Sequence, residues 1–315
     1  MHKPKISVIM PVLNRGDMIE KAIFSVLNQD YADFELIILD GGSTDNTLAV
    51  IKRYEQHITY WHSQYDGSAS AATNIGIEKA SGDLIALLMS DDYYEPGLFH
   101  RIADHYLAHP DADIFSCIGR IVSLDGGVIA QYDSPRELEL NFYNICYGPT
   151  GICFRFIKKS LHDTIGLYIS FDEHGQSMLT NDKEFLLRAV LHGVKNIFVN
   201  HLGYTHVAHE GSYSFGNHRS TFIRHCTEHL TIATEYSRKS NLTCKQKLFL
   251  MMWYNDQSAK LCLFQLLQGE FQRAFKISMQ GIRQYKLVWP FMCFVTGVRL
   301  VLKRAQQRRH TSLTP

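Results

Sequence analysis

The chain is 315 residues long, room for one large domain or for one domain with an appendage. A hydrophobic share of 45% and a charged share of 20% are those of a globular protein and exclude a chain that is mainly disordered or low in complexity. The net charge of +1 hides an asymmetry: residues 271–315 carry nine Lys or Arg and no Asp or Glu, while the first 270 residues carry 23 basic against 31 acidic side chains.

The elements alternate in period from the N-terminus onward. Lys5 to Leu13 reads as a buried strand, and Ile19, Ala22, Ile23, Val26 and Leu27 then recur at helical spacing. Phe34 to Leu39 is a strand, Asp45 to Tyr54 a helix, Ile58 to Trp61 a short strand, Ala69 to Lys79 a helix of small residues, and Leu84 to Met89 another apolar strand. Pro96 opens a helix running to about Ala108. Strand and helix repeating in this way predict an α/β domain, a parallel sheet with helices on both faces, whose ligands bind beyond the carboxyl ends of the strands. Less regular strands follow at Asp113 to Ile118 and Gly127 to Ala130, with a turn at Tyr147 to Gly151, a helix at Asp182 to His192 and a strand at Asn196 to Val199. The sheet domain is expected to span residues 1–215, and residues 216–315 a helical region built from Thr221 to Tyr236, Thr243 to Leu267 and Glu270 to Tyr285.

Three acidic loops fall at predicted carboxyl ends of strands: Asp40 to Asp45, Asp66-Gly67, and Ser90-Asp91-Asp92. One such loop would be a turn with a capping Asp. Three on one sheet edge imply a positive partner, and carboxylates suit a hard divalent cation, Mg²⁺ or Mn²⁺, whose shell substrate phosphates complete. The site is therefore expected to take a nucleoside diphosphate. Neither a Walker loop nor a G-x-G-x-x-G follows the first strand, and no G-x-S-x-G occurs, so ATPase, dinucleotide and acyl-transfer chemistry lack an anchor. Seven cysteines, with no C-x-x-C pair, indicate neither a disulfide framework nor a zinc module. They fit a reducing compartment. The first apolar run is too short for a secretory segment, so the expected location is cytoplasmic.

Ile6-Ser-Val-Ile-Met-Pro-Val-Leu-Asn14, then Gln29-Asp-Tyr31 to Glu35-Leu-Ile-Ile-Leu-Asp-Gly-Gly-Ser-Thr-Asp-Asn-Thr47, then Leu87-Leu-Met-Ser-Asp-Asp-Tyr-Tyr-Glu-Pro-Gly97 resemble the family 2 glycosyltransferases over about the first 215 positions. The resemblance implies a GT-A fold, Rossmann-like with a mixed, mostly parallel sheet. It also implies inverting, metal-dependent transfer of a sugar from a nucleotide-diphosphate donor, a UDP-sugar favoured, to a hydroxyl of a glycan or lipid-linked acceptor in cell-surface polysaccharide synthesis. Pro11 and Val12 match the strand end that lies against the base. Asp40 matches the contact to uracil or ribose, Asp66 and Asn74 further nucleoside contacts, and Ser90 with Asp91 the loop at the diphosphate. Asp91 and Asp92 match the metal motif, although Met89 stands at its first acidic position. His209 resembles a residue that reaches the metal or diphosphate. Thr73 stands where many relatives carry a phosphate-binding Arg, which shifts that charge to the metal or to Arg15. Asp182 takes the place of the catalytic base, with Asn181 replacing the usual Glu before it and Glu184 in reserve.

The segment 287–309 has two readings: a membrane-interface segment with Trp289, Phe291 and Phe294 inserted and Lys and Arg on the headgroups, or a last helix packed on the protein. The first would make the protein peripheral on the inner membrane face. A nucleotidyltransferase and a degenerate nucleotide-binding module are the alternative functions, and no nucleic-acid partner is indicated.

Overall fold

The computed structural model describes residues 2–148, 151–212 and 219–298. It divides into two compact units, Met1–Gly216 and Asn217–Pro315. The first contains β1 (Ile6–Val12), α1 (Ile19–Leu27), β2 (Phe34–Asp40), α2 (Thr47–Arg53), β3 (Tyr60–Ser63), α3 (Ala69–Lys79), β4 (Leu84–Leu87), β5 (Tyr93–Tyr94) and α4 (Leu98–Ala108). It continues with β6 (Ile114–Ser123), β7 (Val128–Tyr132), α5 (Pro135–Leu138), α6 (Phe142–Tyr147), β8 (Arg155–Lys158), α7 (Lys159–Ile165), α8 (Asn181–His192) and β9 (Asn196–Ala208).

One sheet runs through the unit in the order β3-β2-β1-β4-β8-β6-β9-β5, with β7 paired to β6. Strands β1 to β4, β6 and β9 run one way, and β5, β7 and β8 the other. The sheet is thus mixed and mostly parallel. The antiparallel insert β8, four residues long, is too short to show a period and was invisible in the sequence pattern. Every residue of β1 is buried, as in a strand covered on both faces, and its one polar side chain, Ser7, donates to Glu35 at 2.5 Å. Helix α1 covers the sheet with Ile19, Ala22, Ile23 and Val26, each large aliphatic side chain contributing about 1.5–3 kcal/mol on burial. Helix α3 lies closer still: a Cβ on Gly76 would stand 2.4 Å from Ile9 Cγ2. Tyr94 is buried against Phe99, Phe156 and Tyr204 and therefore belongs to the core.

The second unit is helical: α9 (Arg219–Ser237), α10 (Cys244–Leu267), α11 (Phe271–Tyr285) and a further helix, α12, over 288–298. Thr243 and Gln246 close a capping box at the start of α10. The segment from Leu287 is helical over 288–298, and Pro290 falls in the first turn, where no backbone donor is lost. Trp289 is buried, with its Nε1 donating to Ser258 Oγ at 2.9 Å, so this side chain follows the packed-helix reading and not the one that inserts it into a membrane. No helix among the described residues is long and apolar enough to cross a membrane. Residues 149–150 of the expected turn, Ser214, and the basic positions Arg299 to Arg309 lie outside the described residues.

Candidate active site

Strand register brings the first group of site residues together. Val12 pairs with Asp40 at the ends of β1 and β2, and Asp40 pairs with Ser63 at the end of β3. Asp40 is fully buried. Its carboxylate accepts from the Ser43 backbone N–H at 3.1 Å, from the Ser43 hydroxyl, and from Ser63 Oγ at 2.5 Å. Asn14 adopts a left-handed backbone with φ 51. Its N–H donates to Ser43 Oγ at 2.8 Å and its Oδ1 accepts from Thr44 N–H at 2.9 Å, so the loops after β1 and β2 are stitched together. Asp66 lies beside them, its Oδ1 3.5 Å from where a Cβ on Gly41 would stand. Burial pushes the Asp66 carboxyl above its usual range, the Ser68 amide opposes this, and the Asp40 charge adds to it. Two carboxylates at the ends of three adjacent parallel strands can accept from the donor groups of a nucleoside.

The loop after β4 carries the second group. Ser90 is buried beneath it. Asp91 Oδ2 accepts from Arg15 Nε at 3.2 Å and from His209 Nε2 at 3.0 Å. Arg15 Nη2 also donates to the Gly211 carbonyl at 3.1 Å, and His209 Nδ1 accepts from the Gly211 N–H at 3.1 Å. That second bond fixes the neutral His209 with its proton on Nε2. The pattern explains how a chain with Thr73 in place of a cation still brings a guanidinium to this loop.

Asp92 stands differently from its expected place as a second metal ligand. It is buried, and it accepts from Tyr204 Oη at 2.5 Å, His206 Nδ1 at 2.9 Å and Val207 N–H at 2.8 Å. Both oxygens face β9, so Asp92 ties the loop to that strand. Burial alone would lower the His206 pKa, but the Asp92 carboxylate outweighs it and the net shift is upward. Tyr204 and His206 were missed in the sequence because their pairing with Asp92 crosses more than a hundred residues.

Asp182 is half-buried in the first turn of α8, with its Oδ1 accepting from the Lys183 N–H at 2.7 Å. Thr180 precedes the helix, so Asp182 is not its N-cap. Glu184, the reserve base, is buried and gripped by Arg188, whose Nε donates to Oε1 at 2.9 Å and Nη2 to Oε2 at 2.9 Å. Arg188 in turn donates to the carbonyls of Ile165 and Leu167, so this ion pair fastens α8 to the preceding loop. Burial pushes the Cys153 thiol upward, and so do the charges of Asp92, Asp182 and Asp91.

Asn74, expected as a nucleoside contact, is bonded to another loop of the protein. Its Nδ2 donates to the Tyr168 carbonyl at 2.8 Å and to Ser170 Oγ at 3.1 Å, while its Oδ1 accepts from Tyr168 N–H at 3.0 Å. It clasps the loop between α7 and α8. That loop brings Phe171 over Gly67, where a Cβ would stand 2.9 Å from the ring. Gly67 also has φ +84, so its lack of a side chain is required twice over.

Among the described residues no three His, Cys, Asp or Glu side chains converge as a metal cage. One carboxylate and one imidazole, Asp91 and His209, nevertheless fit a divalent cation that takes the rest of its shell from diphosphate and water. Binding through His209 Nε2 would require the ring proton to move to Nδ1 and the bond from the Gly211 N–H to be given up.

The sequence model for glycosyl transferase family 2 matches residues 7–166. An uncharacterized glycosyltransferase of Haemophilus influenzae is 41% identical over 96 residues, 30% of this chain and 38% of that protein. The GalNAc(5)-diNAcBac-PP-undecaprenol beta-1,3-glucosyltransferase of Campylobacter jejuni is 39% identical over 93 residues, 28% of this chain and 30% of that protein. The chain thus spans well under half the length of these curated relatives. Among solved structures, residues 1–349 of S. aureus TarS in complex with UDP-GlcNAc align with a TM-score of 0.62 at 15% identity, over 91% of this chain and 90% of that one. The mannosyltransferase PcManGT from Pyrobaculum calidifontis, in complex with GDP-Man and Mn²⁺, aligns with a TM-score of 0.59 at 16% identity, over 99% and 84%. Such distant structural likeness speaks for the fold alone, whereas the sequence match over residues 7–166 takes in just over half the chain: it belongs to the family 2 glycosyltransferases, and its fold is GT-A.

Proposed function

We propose that the chain transfers a sugar from a nucleotide-diphosphate donor, a UDP-sugar favoured, to an acceptor hydroxyl with inversion, in the synthesis of a cell-surface glycan. The observation that carries this reading is the placing of Asp40 at the paired ends of β1, β2 and β3 and of Asp91 on the loop after β4, bonded to Arg15 and His209, while Glu184 is held in an ion pair by Arg188. That leaves Asp182 as the carboxylate able to take a proton. Asp182 receives the acceptor's hydroxyl proton as that oxygen bonds to the anomeric carbon, and the bond from this carbon to the diphosphate oxygen breaks on the opposite side. A proton acceptor on one face and departure from the other invert the centre without a covalent intermediate. Asp40 and Asp66 hold the nucleoside, with Pro11 and Val12 lining the strand end. Arg15, Asp91 and His209 face the diphosphate. A divalent cation, Mn²⁺ or Mg²⁺, held by Asp91 and His209 would neutralise the leaving diphosphate. Asp92 acts here by tying the loop to β9.

The relative acting on an undecaprenol-linked chain supports a lipid-linked acceptor, and the basic segment 287–309 supports a peripheral site at the membrane. Titration calorimetry of UDP, GDP and dTDP with Mn²⁺ and with EDTA, on the natural chain and on Asp91→Ala, tests the donor half. One nucleotide is expected to bind, and to need both the metal and Asp91. Absence of binding by all three, or binding indifferent to both, would overturn the proposal.

A further inference from the structure

Helix α12 is packed inside out. Its inward side carries Trp289, 6% exposed and donating to Ser258, and Thr296, 2% exposed and donating to Asp256 Oδ1 at 3.1 Å. Trp289 sits where a Cβ on Gly281 would be 2.1 Å away, so α11 is cut to receive it and the helix cannot roll about its axis without losing that fit. The outward side carries Phe291 at 65% and Phe294 at 71% exposure, with Val295 and Val298 also open, and Leu287, in the turn just before the helix, is 86% exposed. From Phe291 the helical positions follow one another at intervals of three, one and three residues, which is a single stripe along the helix. On α11, Phe271, Phe275 and Ile282 are exposed as well, among Arg273, Lys276 and Arg283.

Large exposed aromatic side chains in a continuous stripe call for a cover. Charge decides which. Residues 271–315 hold nine cations and no anion, and five of them, Arg299, Lys303, Arg304, Arg308 and Arg309, follow the stripe directly in sequence. A symmetric pairing of two copies would set this cationic surface against itself. An anionic surface that is apolar just below its charges satisfies both features.

We infer that the α12 stripe, with the cations of α11, is a docking face for anionic phospholipid. It deepens the reading of a membrane-bound acceptor by committing to Leu287, Phe291 and Phe294 as the inserted side chains, with Trp289 as the internal post that holds them outward. The side chains enter the headgroup boundary, and the Lys and Arg side chains lie on the phosphates.

The test is co-sedimentation of the full chain with vesicles of phosphatidylcholine alone and of phosphatidylcholine with phosphatidylglycerol. Binding is expected with phosphatidylglycerol, to be weak without it, and to fall as salt rises. Phe294→Asp and Phe291→Asp should each weaken it about tenfold or more, from the apolar area lost. Lys276→Gln with Arg283→Gln should weaken it severalfold and reduce its salt dependence. Circular dichroism checks that each variant is folded. Equal binding to both vesicle types, no binding to either, or an undiminished Phe294→Asp would overturn the inference. So would a dimer seen by light scattering that Phe294→Asp abolishes while vesicles are ignored, since a second copy would then be the cover. Nucleotide titration on the same preparations separates this failure from failure of the transferase reading.

Discussion

The two units of the chain handle polarity in opposite ways. In the sheet unit the apolar residues are buried and the carboxylates gather at one edge, where Ser43 and Ser63 bind Asp40, and Arg15 and His209 bind Asp91. In the helical unit the middle of α10 buries Asn255, Asp256, Gln257 and Ser258, and the apolar stripe of α12 faces outward. Burying a polar group costs free energy unless partners replace its lost water, and Lys260 and Thr296 do so for Asp256, as Trp289 does for Ser258. An apolar stripe left outside has no such return within its own unit. The proposals made above place chemistry in the first unit and attachment in the second.

The sharpest way to break this division is to disable one unit and measure the other. Asp182→Asn should lower turnover by about 10²–10⁴-fold, the range for loss of a general base. Calorimetric affinity for the nucleoside diphosphate should stay as it was. If affinity fell as far as turnover, Asp182 would belong to the donor site. Asp40→Ala should weaken nucleotide binding by about ten- to a hundredfold, as expected for hydrogen bonds to a buried carboxylate. Vesicle binding by the same variant should be unchanged, and a parallel loss would mean that the units do not act separately.

Smaller effects sharpen the picture of what holds each unit. His162 is buried, stacked on Phe185 at 4.8 Å and close to the Arg188 charge, and burial followed by that charge lowers its pKa from 6.5 to about 3. The folded chain keeps it neutral while the unfolded chain takes up a proton below pH 6.5, so its contribution is intact above that pH and is lost as the pH falls toward 3. Denaturant melts at pH 6.5 and pH 5 should differ by about 2 kcal/mol from this group. His162→Phe should remove that part of the acid slope. Trp289→Phe should cost the helical unit about 1 kcal/mol through its hydrogen bond to Ser258, read as a shift in thermal midpoint, and should leave nucleotide binding untouched.

Much of the candidate site could be read from the chain because the strand ends announce themselves. An apolar run followed by Asp40, or by Ser90-Asp91-Asp92, puts those side chains at one edge of any parallel sheet. Neighbouring carboxylates with different partners could not be told apart. Asp91 and Asp92 differ by one position, yet one meets Arg15 and His209 while the other is absorbed by Tyr204, His206 and Val207. Glu184 is the exception, since an Arg four residues later on a helix already suggests an ion pair. Asn74 looked like a ligand contact by its motif and is a clasp for the loop at Tyr168.

The sequence by itself determined the alternation of strand and helix, the acidic strand ends, the family and the one-sided charge of the last 45 residues. These are local properties: periodicity, composition and short motifs depend on a few neighbouring residues. Only the tertiary structure decided that β8 enters the sheet antiparallel, that Asp92 faces inward and that Trp289 is a post while Phe294 is free. Each of those outcomes depends on which distant side chain arrives to satisfy a buried polar atom, and burial is fixed only when the whole chain has packed.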